Sequence, residues 1–184
     1  MDNSIKLINP NSVKTKPAEI LPLCLTDVSY EISGMRLIKD LNVVFKTGSL
    51  TVILGPNGAG KSLLLRLCHG LISPSSGTIT WDGPHAKTSR DHQAMVFQRP
   101  VMLRRSVLAN LNHGLKYRGI NKVERLRRIE QLLHQTGLSR LAKVPARRLS
   151  IGEQQRLAVA RAWSLDPEVL FMDCLLYTSD SADD

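Results

Sequence analysis

The sequence predicts an α/β fold: a parallel core sheet, an antiparallel β subdomain ahead of it, and a helical insert interrupting it. Three observations carry this. An apolar, β-branched run, Leu50-Thr51-Val52-Ile53-Leu54, leads through a glycine-rich loop into a segment of helical spacing, Lys61 to Leu71, which is how a parallel α/β unit opens. Upstream, Leu21, Leu23 and Leu25 alternate, and Leu37 to Phe45 is bracketed by turn signals at Ser33-Gly34 and Thr47-Gly48, the pattern of a short antiparallel meander. Downstream, from about Ser106 to Leu149, the texture becomes helical. With 184 residues, 42% hydrophobic and 22% charged, the chain has the composition of one domain with its own core, which excludes a disordered tail or a disulfide miniprotein.

Taken in order, residues 1–20 mix Asn, Ser, Lys and Pro without periodicity and read as a loose leader. The domain runs over 21–173. Beyond the meander and the first α/β unit, Gly77 to Trp81 and Ala94 to Phe97 are strand candidates. A helical insert is expected over about 100–165, where Val123, Leu126, Ile129, Leu132 and Leu133 form one apolar stripe. Between Lys116 and Arg148 ten basic residues face only Glu124 and Glu130, and the whole chain carries a formal charge of +9. A solvated basic helix face is the simpler account; a surface turned to anionic lipid or nucleic acid is the other. The three cysteines, Cys24, Cys68 and Cys174, have no metal-ligand spacing and are odd in number, which points to a reducing compartment. No apolar run approaches the ~20 residues of a spanning helix, and no signal-peptide pattern opens the chain, so a soluble protein is expected, with other chains doing any spanning.

The most specific signal is Gly55-Pro56-Asn57-Gly58-Ala59-Gly60-Lys61-Ser62, followed by Leu63, which matches GxxxxGK[ST] between a strand and a helix. Glycines let successive backbone N–H groups turn toward one point and approach phosphate oxygens closely. Lys61 is placed to reach the β and γ phosphates and Ser62 to ligate Mg²⁺, while the helix N-terminus adds the positive end of its dipole. A chance match in a chain of this length has odds of about one in a hundred.

Three more segments follow at telling positions. Gln98 ends Met95-Val96-Phe97-Gln98, between the phosphate loop and the insert. Leu149-Ser150-Ile151-Gly152-Glu153-Gln154-Gln155-Arg156 places Ser150 three residues ahead of Glu153, a capping box that starts a helix. Val169-Leu170-Phe171-Met172-Asp173 reads as a strand ending in a carboxylate. With the phosphate loop, these resemble the ATP-binding cassette proteins, the motor subunits of ABC transporters, over about Leu23 to Asp173. The resemblance implies the phosphate-loop NTPase fold and assigns roles residue by residue. Gln98 would touch Mg²⁺ and the attacking water. Ser150, Gly152 and Glu153 would present a helix N-terminus to ATP held by a second cassette, and Asp173 would hold Mg²⁺. Ile151 departs from the family pattern, standing where a glycine is usual. Tyr30 is either an adenine-stacking residue or a packed strand tyrosine.

The resemblance further implies MgATP as the ligand pair, a homodimer or cassette pair, transmembrane permease subunits, an extracytoplasmic solute-binding protein, and a peripheral position on the cytoplasmic face of the membrane. Phe97 to Val107 resembles importer cassettes for oxyanions such as tungstate or phosphate. After Asp173 the family continues with a catalytic glutamate and later a strand bearing a switch histidine; here Cys174 stands at the glutamate's place, so the chain as written is expected not to turn ATP over. Family topology sets the histidine strand between the phosphate-loop strand and the strand ending at Asp173, so a gap with unpaired backbone groups is expected there. Residues 174–184 have the look of translated sequencing-adapter DNA joined to an unfinished gene, a tail foreign to the family. The competing readings are an ABC ATPase acting on nucleic acid or ribosomes, a non-hydrolysing nucleotide-binding module, and a small-molecule kinase; the last lacks the signature after a helical insert, and nucleic acid is the less expected partner because no tandem cassette, zinc insertion or long coiled coil is visible.

Overall fold

The computed structural model describes residues 6–8 and 18–173. The described residues divide into two compact units, one formed by those up to Met95 together with Asp166–Phe171, the other by Val96–Leu165 with Met172 and Asp173.

In the first unit, strands β2 (Leu23–Ile32) and β3 (Met35–Phe45) form an antiparallel hairpin, with Ile32 opposite Met35. The turn between them needs two left-handed residues, and Ser33 (φ 52°) and Gly34 (φ 75°) supply them. Strand β5 (Ser76–Trp81) pairs with the other edge of β2, completing a three-stranded antiparallel sheet in the order β3-β2-β5. Alternation sends Leu23 and Leu25 of β2 inward, and a register shift between Leu25 and Val28, where Asp27 is left-handed (φ 49°), returns Val28 to the same face. The three share a core with Ile38 of β3, Phe171, and Leu64, Leu67 and Cys68 of helix α1 (Lys61–His69). Each fully buried leucine here contributes about 1.5–3 kcal/mol relative to exposure. Helix α1 ends where Gly70 takes a left-handed conformation (φ 78°), two residues before the periodic pattern suggests.

Strands β6 (Gln93–Val96) and β7 (Val169–Met172) pair with each other. The amides of Glu168 and Val169 donate to the His92 carbonyl and that of Asp173 to Val96, so the two strands run in the same direction, the parallel element of the fold. The phosphate-loop strand β4 (Val52–Leu54) is shorter than the apolar run that predicts it and is not laddered to β6 or β7. Among the described residues β4 nonetheless has a ladder partner. Strand β1 (Lys6–Ile8) pairs with it antiparallel, Leu7 opposite Ile53. Within the leader read as loose from its composition, residues 6–8 are thus a strand: backbone donors and acceptors on β4 take a partner that side-chain periodicity does not announce. Residues 1–5 and 9–17 lie outside the described residues. Ala18 and Ile20 are buried as well, and the Ala18 amide donates to Thr47 Oγ1 at 2.9 Å.

The second unit is helical. Helix α2 (Val107–Tyr117) packs on α3 (Lys122–Gln135) and on α4 (Ile151–Trp163), burying Val107, Leu111 and Leu115. On α3 the apolar stripe is buried only at Ile129, Leu132 and Leu133; Val123 and Leu126 are exposed. The periodicity is right for a helix, but only the last turns of the stripe meet a partner. Among the described residues no helix is long and apolar enough to cross a membrane.

Candidate nucleotide-binding site

In the first unit, the loop Gly55–Gly60 connects β4 to α1. Gly58 (φ 85°) and Gly60 (φ 87°) are left-handed, conformations that a side chain would strain. Gly60 is also the residue that caps α1, and a Cβ there would sit 3.4 Å from the Leu37 carbonyl oxygen. The helix start has no side-chain cap and no acidic residue in its first turn, so its positive end is left uncompensated toward the loop. Lys61 folds back over the loop: its Nζ donates to the carbonyl oxygens of Gly55 at 2.7 Å and Pro56 at 2.8 Å. The loop closes on itself through the Ala59 amide and the Pro56 carbonyl, 3.2 Å apart, and Ala59 is buried. Asn57, Ser62 and Leu63 complete the motif, Leu63 packing against the core. A charged ammonium, two left-handed glycines and a helix start without a side-chain cap lie on one short loop, features that suit an anionic polyphosphate. Tyr30, opposite Ile38 in the hairpin, is partly buried against the core.

In the second unit, Gln98 lies two residues past β6 and Asp173 one residue past β7, so both leave the same ends of two parallel strands. The Gln98 carbonyl accepts a 2.6 Å bond from Gln155 Nε2, which ties this segment to the first turn-and-a-half of α4. The start of α4 is the capping box read from its sequence. Ser150 Oγ accepts from the Glu153 amide at 3.4 Å, and Glu153 Oε2 accepts from the Ser150 amide and hydroxyl, each at 2.8 Å. Those bonds, the backbone one first, hold the Glu153 carboxyl below its usual range. Ile151 is 82% exposed, so the branched side chain at the glycine position of the pattern stands in solvent at the helix start. A Cβ on Gly152 would meet only the tip of Arg156, at 3.9 Å. Cys174 lies outside the described residues.

Two positioning residues escaped the sequence reading. Asn110 is 1% exposed; its Oδ1 accepts from the Leu103 amide at 3.1 Å and its Nδ2 donates to the carbonyls of Arg105 (3.2 Å) and Ser106 (3.0 Å), folding the segment that follows Gln98 onto α2. Its only sequence signal is an asparagine amid the apolar residues of α2. Gln155 sits inside the quoted signature, yet nothing in its spacing points to Gln98.

The glycine loop on an open helix end, together with a capped helix following a helical insert, defines a nucleotide-binding cassette of the phosphate-loop class. Residues 38–174 match the ABC transporter family model. The chain is 32% identical over 153 residues to the tungstate uptake system ATP-binding protein TupC of Peptoclostridium acidaminophilum, covering 83% of this chain and 72% of that protein. It is 38% identical to the sulfate/thiosulfate import ATP-binding protein CysA of Synechococcus elongatus (81% and 44% covered) and 35% identical to the taurine import ATP-binding protein TauB of Pseudomonas aeruginosa (79% and 57%). Among solved structures, cbiO1 from Clostridium perfringens, part of the ABC transporter complex cbiONQ, superimposes with a TM-score of 0.66 at 28% identity, covering 82% of this chain and 64% of that one. The chain belongs to the ABC transporter family. It spans about half the length of the sulfate and taurine relatives and nearly three quarters of the tungstate one.

Proposed function

We propose that this chain is the ATP-binding part of an ABC transporter that imports a solute of the oxyanion class. The observation that carries the nucleotide reading is the Lys61 ammonium folded over the left-handed glycines of an uncapped helix start. A bound polyphosphate would exchange the Gly55 and Pro56 carbonyls for phosphate oxygens as partners of Lys61. The backbone amides of the loop from Asn57 to Leu63 would hold the β and γ phosphates, orienting the nucleotide. Ser62, Gln98 and Asp173 offer hydroxyl, amide and carboxylate oxygens, the hard donors that suit Mg²⁺. When bound, that ion would neutralise charge on the transferred phosphoryl group. Tyr30 is retained as the adenine-side candidate, although its packing against the core favours the structural role.

In the same reading Ser150, Gly152 and Glu153 present the α4 N-terminus to the γ phosphate held by a second cassette, so each chain holds two half-sites. The cassette pair would work with permease subunits and a solute-binding protein, peripheral to the membrane on its cytoplasmic face. The import class rests on the names of the relatives, two of which refer to tungstate and to sulfate and thiosulfate. A thiol at position 174 cannot orient or deprotonate water as a carboxylate does, a contribution of about 10²- to 10⁴-fold. The chain as written is therefore proposed to bind ATP without multiple turnover. Photolabelling with 8-azido-ATP and phosphate-release kinetics test both halves. Label confined to the phosphate-loop region and competed by ATP supports binding, whereas sustained phosphate release from the pure chain contradicts the second half.

A further inference from the structure

Away from the phosphate loop, the first unit gathers His85, His92 and Glu168 so that one ligand atom from each lies within 4.8 Å of the other two. Three backbone devices build the cluster. The pairing of β2 with β5 continues past the strand ends: the amides of Asp82, Gly83 and His85 donate to the carbonyls of Pro22, Ile20 and Glu19. A 3₁₀ segment, Ala86–Asp91, then has His85 as its N-terminal cap residue and His92 as its C-terminal one, which brings the two imidazole centroids to 6.0 Å. Finally, the first rung between β6 and β7, where Glu168 and Val169 donate to the His92 carbonyl, sets Glu168 beside His92.

The side chains are already oriented. His92 Nδ1 lies 2.9 Å from Glu168 Oε1, and His85 Nδ1 lies 2.8 Å from Glu19 Oε2. Glu168 is itself pinned, its Oε2 accepting from the amides of Glu19 (2.6 Å) and Ile20 (3.0 Å). The His85 side chain is half exposed, that of His92 about a third, and that of Glu168 less than a fifth, so the cluster opens to solvent on the His85 side.

We propose that His85, His92 and Glu168 form a binding site for a divalent late-transition metal ion, zinc in the first instance. Two imidazoles and a carboxylate are the donor set of such ions; magnesium and calcium prefer all-oxygen sites. Bonds of about 2.0–2.1 Å place tetrahedral ligand atoms roughly 3.4 Å apart. The cluster therefore needs to contract, and His85, half exposed and paired with the exposed Glu19, is the member with most room to move, Glu19 moving with it. Glu19 backs one imidazole in the way that carboxylates orient metal-binding histidines. The site is separate from the nucleotide loop in residues and in donor chemistry. Its role is a clip that fixes the segment around Glu19 and Ile20 to the start of the β6–β7 pair.

The test uses the whole chain, stripped with a chelator and free of nucleotide. Titration with ZnCl₂ against a chromophoric competitor is expected to show one zinc per chain, with a rise in melting temperature. His85→Asn and His92→Asn should each weaken binding at least tenfold, and His85→Asn, a surface change, keeps the circular dichroism of the parent. Lys61→Ala should leave zinc affinity unchanged, which separates this site from the proposed ATP site. X-ray absorption should show nitrogen and oxygen neighbours only. No zinc binding by the parent chain, equal affinity in the His85→Asn/His92→Asn double variant, or a sulfur shell from the cysteines would each overturn the proposal.

Discussion

At the scale of single residues, Asn110 shows how much one buried amide can organise. It makes its bonds to Leu103, Arg105 and Ser106 from a fully buried position, so truncation strands backbone groups that water cannot reach. Asn110→Ala is expected to cost about 1–3 kcal/mol of stability, read as a lower urea midpoint with an unchanged slope. His69 gives a second prediction. Burial first, then the nearby Arg90 charge, lowers its pKa below the ordinary value of about 6.5, and its Nδ1 is buried without a hydrogen-bond partner. The folded state thus favours the neutral ring, and the unfolded chain binds the proton more readily. This contribution is whole above about pH 6.5 and is lost as pH falls through that value toward the lowered folded pKa. Denaturation at pH 8 and pH 5.5 should show a drop in stability on acidification that shrinks in His69→Gln. Cys68 behaves oppositely: burial pushes its thiol up to about 12, so it is expected to resist alkylation in the folded chain.

At the scale of elements, sequence signals were legible where a local rule decides the outcome. The Ser33-Gly34 turn, the Gly58 and Gly60 bends and the Ser150–Glu153 box each follow from one residue's backbone or hydrogen-bonding preference, and each stands where the spacing places it. Ser150→Ala should weaken the α4 start by about 1 kcal/mol, measurable by chemical denaturation. Gly77 in β5 is a sharper case, because it is left-handed (φ 80°) and its hydrogen side faces the carbonyls of Thr26 and Asp27 so closely that a Cβ would collide with them. Gly77→Ala is expected to cost several kcal/mol, enough to lower soluble expression or the melting temperature markedly, since backbone rather than a flexible side chain would have to move. Less legible were the features set by partners. The α3 stripe predicted a helix correctly and overstated its burial at Val123 and Leu126, since periodicity specifies a face and not the length of what packs on it.

At the scale of the whole molecule, the α/β class, the antiparallel sheet and the helical insert follow from patterning, while strand neighbours distant in sequence do not. The pairing of β1 with β4 joins residues more than forty positions apart, and no turn or alternation links them. The His85, His92 and Glu168 cluster was invisible for the same reason: its members come from a loop, a strand edge and a segment far downstream, joined only by backbone ladders. The nucleotide loop, by contrast, is contiguous, so its chemistry can be read along one stretch of eight residues. The central claim is that this loop grips MgATP through Lys61, and calorimetric titration of MgATP into the folded chain tests it most directly. The account predicts one nucleotide per chain, with binding lost in Lys61→Ala at unchanged circular dichroism; no heat of binding from the folded parent, or equal affinity in the variant, would contradict it.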